Sequence, residues 1–144
     1  MGSHAVVASA VIRELTIKHC LAIYEQEVHA APLLRRDLLE AVVAAPYASF
    51  DGHEAFPTLI DKAARLAFGI AQAQAYQDGN KRLAWLCTVT FLEVNGTSID
   101  VDQDEAASVI RALGKQKTDG SRLLNLAGLT NWFIECVHYS NESA

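Results

Sequence analysis

Long apolar runs are missing from this chain, and no stretch approaches the roughly 18 residues that a membrane span needs. The start, Met1-Gly2-Ser3-His4, has no basic n-region, which argues against a secretory signal; it reads like an expression-vector leader, and a native start fits as well. Proline is scarce, at three residues in 144, and there is no low-complexity tract or internal repeat. Basic clusters are scarce too. The net charge is −5, and the only dense basic pairs are Arg35-Arg36 and Lys81-Arg82, too little for the basic patch of a nucleic-acid binder. Cysteine is limited to Cys20, Cys87 and Cys136, an odd number without CxxC spacing. That pattern argues against a disulfide framework or a zinc site and points to buried thiols in a reducing compartment, hence the cytoplasm.

What remains is the composition of one compact domain over residues 1–144, with 51% hydrophobic and 20% charged residues. Ile17, Cys20, Leu21, Ile23, Tyr24 and Val28 recur at helical spacing and predict an amphipathic helix from Thr16 to Val28. Pro32 is expected to open a second helix, Leu33 to Ala44, which Pro46 stops. Between Pro46 and Pro57 the helical period is lost, and Asp51-Gly52 sits among Tyr47, Phe50 and Phe56, which predicts a small hairpin. Pro57-Thr58 starts a helix running to about Ala73, with Leu59, Ala63, Leu66, Ala67 and Ile70 as its core stripe. The next helix, about Asn80 to Val94, is apolar nearly all round and belongs in the middle of the domain; Asn95-Gly96 closes it. A helix over Asp104–Leu113, a polar loop over Gly114–Ser121 and a last helix, kinked near Gly128 and ending near His138, complete the expectation. The fold class is all-α: about six helices with a small β-hairpin.

The informative stretch is Gln74-Ala75-Tyr76-Gln77-Asp78-Gly79-Asn80-Lys81-Arg82, between the two central helices. First-turn amides have no partner inside their helix, and the dipole is positive there. Gly79 permits a close turn, Asn80 tolerates or caps it, and Lys81 and Arg82 add fixed positive charge. Together they suggest an anion nest suited to phosphate. Asp78, a carboxylate beside such a nest, makes sense if Mg²⁺ bridges it to phosphate oxygens. The alternative is a plain solvated turn.

This segment resembles the Fic/Doc signature: histidine, any residue, phenylalanine, any residue, an acid, glycine or alanine, asparagine, lysine or glycine, arginine. Tyr76 stands for the aromatic, Asp78 for the acid, Gly79-Asn80 for the turn and Arg82 for the phosphate arginine. Leu38-Leu39-Glu40 before Pro46, Phe56-Pro57-Thr58-Leu59 with Lys62-Ala63-Ala64, and Asn95-Gly96 extend the likeness along most of the chain. Adenylyl-transferring members carry glycine and a second arginine where Lys81 and Trp85 stand, so the chain looks like the Doc branch, the toxin of a toxin–antitoxin pair. The resemblance implies transfer of the γ-phosphate of ATP to a hydroxyl of elongation factor Tu. Asp78 would hold Mg²⁺, and Gly79, Asn80, Lys81 and Arg82 would hold phosphates. The hairpin, with Phe50, Gly52, His53 and Phe56, would dock the target by edge pairing. No self-inhibitory motif is evident, so an antitoxin acting in trans is expected, seated along the first two helices. AMP transfer, or a non-catalytic nucleotide- or partner-binding module, are the alternatives.

Gln74 departs from the pattern, because it occupies the histidine position. A histidine there can accept a hydroxyl proton near neutral pH, whereas a carboxamide cannot, and losing a general base costs about 10²–10⁴ in rate. The chain is therefore expected to transfer weakly or not at all while still binding nucleotide. An engineered disarming and a natural glutamine both fit. His19, His29 and His138 lack metal-ligand spacing and are expected to be structural.

Overall fold

The structure is a computed structural model that describes residues 11–113, 115, 118 and 124–139. In chain order it has α1 (Ile17–Ile23), which runs on into a π-helical turn (Tyr24–Val28), then α2 (Arg36–Ala44) and a 3₁₀ turn (Ala45–Tyr47). The hairpin strands β1 (Ser49–Phe50) and β2 (His53–Glu54) follow, then α3 (Leu59–Ala73) and α4 (Asn80–Val94). The rest comprises β3 (Thr97–Ile99), α5 (Gln103–Ala112), α6 (Leu126–Cys136) and β4 (Val137–Tyr139). The architecture is all-α with two small antiparallel strand pairs.

α3 and α4 form the central pair, and α3 also packs against α2 and α6. α3 begins where its sequence says it should: Thr58 Oγ1 accepts from the Asp61 N–H at 3.0 Å, and Asp61 Oδ2 accepts from the Thr58 N–H. Its small residues Ala63, Ala64, Ala67 and Ala71 are all buried, which lets the helices approach closely. At Gly69 a Cβ would lie 2.9 Å from Val42 Cβ, so only glycine fits where α2 crosses α3. Leu39, Leu66, Ile70, Leu83, Phe91, Leu92, Leu129 and Phe133 fill the core. In α4, Leu83, Ala84, Cys87, Thr88, Phe91 and Leu92 are buried, as the near-continuous apolar run implied. The Thr88 hydroxyl donates to the Ala84 carbonyl at 2.7 Å, which satisfies the one polar side chain among them.

Three expectations need correction. The second helix does not start at Leu33. Residues 33–35 are extended because their backbone pairs with the loop at 75–77, and helix begins at Arg36. Tertiary hydrogen bonds outweigh helix propensity there. The last helix is not kinked at Gly128: Asn125 caps it, accepting the Gly128 N–H at 2.8 Å, so Gly128 sits in the first turn. Nor does it reach His138. Residues 137–139 form β4, paired antiparallel with β3 in the register Thr97↔Tyr139, Ser98↔His138 and Ile99↔Val137. The β-branched and aromatic residues Val137 and Tyr139 favour that pairing over another helical turn. The expected loop at 114–121 lies largely outside the described residues.

All three cysteines are buried and free. A hydrogen bond with Cys20, together with burial, pushes the Cys87 thiol far up, and burial pushes Cys136 up to about 11. These are inert packing groups. Among the described residues no helix is long and apolar enough to cross a membrane.

Phe91 is wholly buried and meets Tyr47 edge-on, with ring centroids 6.2 Å apart. Phe91→Ala should lower the unfolding free energy by about 3–5 kcal/mol, measured by urea denaturation, because a rigid helix pair cannot collapse into the void.

Candidate phosphate-binding site

α3 ends at Ala73, and Gln74 takes the left-handed conformation, with φ of 49°. From there the chain is held to the segment before α2. The Ala75 carbonyl accepts the N–H groups of Leu34 (2.9 Å) and Arg35 (3.0 Å), and the Gln77 N–H donates to the Pro32 carbonyl at 3.1 Å. Tyr76 is buried and stacks on Tyr24 at 3.5 Å with the planes 10° apart. Gly79, at φ of 84°, then turns the chain into α4. A Cβ there would come within 2.6 Å of Val28 Cγ1, so the position excludes side chains on both conformation and space.

Asn80 closes the loop. Its Oδ1 accepts from the Tyr76 N–H at 3.0 Å and its Nδ2 donates to the Tyr76 carbonyl at 2.8 Å. Each end of the carboxamide bonds the loop, which leaves the backbone N–H and the second Nδ2 hydrogen of Asn80 for an incoming anion. Asp78 is exposed; its Oδ1 accepts from the Gly79 N–H at 2.8 Å, while Oδ2 has no partner among the described residues. The amides of Asn80, Lys81 and Arg82 also lack acceptors there, as the first turn of a 15-residue helix dictates. The exposed Arg82 guanidinium is unpaired in the same sense. Lys81 is engaged instead: its Nζ donates to the Arg111 carbonyl at the end of α5, at 3.1 Å. A groove of about 590 Å³ leads away from Arg82 between α4, β3 and α5, walled by Trp85, Val89, Ile99, Ala106 and Ile110.

Gln74, Asp78, Gly79, Asn80, Lys81 and Arg82 thus lie on one loop and one helix start, with the Gln74 side chain exposed. Three free amides and an unpaired guanidinium suit phosphate oxygens. Among the described residues no group of three or more His, Cys, Asp or Glu could hold a metal. A metal ion at Asp78 would draw its other ligands from phosphate and water, the usual habit of Mg²⁺, and the free Oδ2 fits that role.

The hairpin is built as its sequence suggests, with Asp51 and Gly52 at φ of 52° and 80° in a tight turn and Ser49↔Glu54 and Phe50↔His53 in register. Phe50 is 78% exposed, and Gly52 and His53 are exposed at the tip. Phe56 is different: it lies at the base, beneath the Arg65 guanidinium at 5.9 Å. Lys62, only 3% exposed, holds this base to α3 by donating to Glu54 Oε1 at 2.6 Å and to the Phe56 carbonyl. The histidines stand elsewhere. His19 bonds Thr16, His29 pairs with Glu25 at 3.2 Å and His138 lies 3.8 Å from Asp100.

The loop geometry agrees with the comparison to known proteins, in which residues 11–92 match the model described as Fic/DOC family. The chain belongs to the Fic/DOC family. It is similar to the Toxin Doc of Mycolicibacterium smegmatis, 42% identical over 84 residues. That match covers 57% of this chain and 65% of the relative's own length.

Sequence reasoning missed Tyr24, Lys62 and Arg111, which support the loop, the hairpin and Lys81. Tyr24 carried a signal: a tyrosine on a core stripe needs a buried partner for its hydroxyl.

Gly79→Ala should destabilise the protein by about 2 kcal/mol or more, through left-handed backbone cost and the clash. Adding Val28→Ala should restore only the part due to the clash, as a double-mutant cycle in urea would show. Burial pushes the phenols of Tyr47 and Tyr76 from 10 up to about 12. A raised folded-state value means stability that is complete below pH 10 and lost as pH climbs to about 12. Denaturation midpoints should therefore fall across that window, on top of a decline that the buried Cys87 and Cys136 thiols begin at about pH 9.

Proposed function

We propose that this chain is the toxin of a toxin–antitoxin module, a phosphotransferase scaffold that moves the γ-phosphate of ATP to a hydroxyl of a translation factor such as elongation factor Tu. The observation that carries the reading is the set of free amides at Asn80, Lys81 and Arg82 beside the open oxygen of Asp78. The name of the similar Toxin Doc supports the toxin role and, with it, an antitoxin protein that covers the site in trans.

The chemistry follows from the groups present. The α4 amides and Arg82 orient phosphate oxygens and offset the charge that builds on them as the phosphoryl group transfers. Mg²⁺, when bound, neutralises further phosphate charge, and Asp78 is the residue that would hold it. The groove beyond Arg82, with Trp85 in its wall, offers an apolar surface for the rest of the nucleotide. The hairpin tip exposes Phe50 and His53 to a target segment. Gln74 sits one residue past α3 with its side chain in solvent, and its carboxamide would hydrogen-bond a target hydroxyl. It cannot remove the proton. Nucleotide binding with weak or absent transfer is the expected behaviour of the chain.

The test is Gln74→His, incubated with elongation factor Tu and ATP labelled at either the γ- or the α-phosphate. Transfer of γ-label, rising about 10²–10⁴-fold over the glutamine form, is the expected outcome. Transfer of α-label would instead make the chain a nucleotidyltransferase. No transfer, with normal growth on expression of Gln74→His without antitoxin, would leave a non-catalytic binding module.

A further inference from the structure

We infer that Tyr24 is the positioning residue for Asp78, its hydroxyl fixing the main chain of the carboxylate that would meet the metal of a magnesium–nucleotide complex. The inference rests on the reading of the loop as a phosphate site and adds to it a residue that lies 54 positions away in sequence.

Asp78 has little else to hold it. It is exposed, and among the described residues its carboxylate hydrogen-bonds only the adjacent Gly79 amide. The strand-like pairing that secures the loop stops at Gln77, and the helical hydrogen bonds begin at Gly79, whose carbonyl accepts the Leu83 N–H. The one hydrogen bond from Asp78 to the rest of the fold, among the described residues, is the 2.8 Å bond that its carbonyl accepts from the Tyr24 hydroxyl.

Tyr24 is equipped for this task. It is 3% exposed, its ring is fixed by the stack on Tyr76, and its hydroxyl accepts the Ala31 N–H at 2.9 Å. The hydroxyl proton is thereby directed at Asp78. The local backbone is unusual in the same place. The His29 N–H donates to the Tyr24 carbonyl five residues back at 2.7 Å, and His29 itself is left-handed, with φ of 45°. That wide turn reverses the chain and returns Ala31 to the hydroxyl. π-Turns cost helix regularity and collect at functional sites, and this one puts a single phenol between three segments.

The experiment measures ATP binding to the intact chain by calorimetry, with and without Mg²⁺, for the wild type, Tyr24→Phe and Tyr47→Phe. Tyr47 is the control: its half-buried hydroxyl accepts the Leu15 N–H at 2.9 Å and serves another part of the fold. Tyr24→Phe keeps the stacked ring and should need about tenfold more Mg²⁺ for half-maximal ATP binding, the loss of one directed hydrogen bond. Its Mg²⁺-free affinity should change by less than about twofold, since the α4 amides are untouched. Tyr47→Phe should lose comparable stability with neither effect. An unchanged Mg²⁺ requirement in Tyr24→Phe, or equal weakening with and without the ion, would overturn the positioning role alone. A wild type that binds no ATP under any condition would overturn the phosphate site, and this role with it.

Discussion

The constraint on which this molecule depends is the place where α4 begins. The helix is buried along much of its length, so its axis cannot shift to suit a ligand, and its first turn is fixed wherever the preceding loop delivers it. The loop is consequently over-determined. It is paired to residues 32–35 on one side, clasped across its own neck by the Asn80 carboxamide, and pressed against Tyr24 and Val28 where Gly79 turns. Preorganised donors stabilise a developing charge without having to reorganise at the moment of reaction. Among the described residues the polar groups not needed for the clasp include three open backbone amides, one carboxylate oxygen and Arg82.

This division of labour has an electrostatic logic. Asp78 sits beside a positive helix end, where a carboxylate is stabilised, and it satisfies the Gly79 amide. Lys81 turns its ammonium to the C-terminal carbonyl of α5, where a cation is favoured by the opposite dipole end. One motif residue thus ties α5 to the site while the next, Arg82, stays unpaired. The hairpin is organised in the same way, with the buried Lys62 holding its base and the tip left exposed.

The parts of this fold that were legible in the sequence are those set by local chemistry. The Thr58 cap, the Asp51-Gly52 turn and the unbroken apolar run of α4 each specify their element through neighbours a few residues away, and each element lies where it was expected. The motif from Gln74 to Arg82 was legible for the same reason. Misreadings arose where a distant strand competes for backbone groups. Residues 33–35 look helical until the loop at 75–77 takes their amides, and residues 137–139 look like a helix end until β3 supplies a partner. The support given by Tyr24 was hidden because the hydrogen bond to Asp78 spans 54 positions of the chain, and periodicity marks only the face on which a side chain lies.

The left-handed backbone at Gln74 has a consequence for how this scaffold could change over time. Few side chains tolerate that conformation; histidine, asparagine and aspartate are enriched in it, whereas β-branched residues are strongly disfavoured. Position 74 therefore admits a narrow alphabet, weighted toward polar groups that can bond a hydroxyl. Exchange between a proton-accepting and a proton-inert member of that alphabet needs no rebuilding of the loop, so the capacity to take up a proton at this position can be lost or regained in one step while the architecture persists.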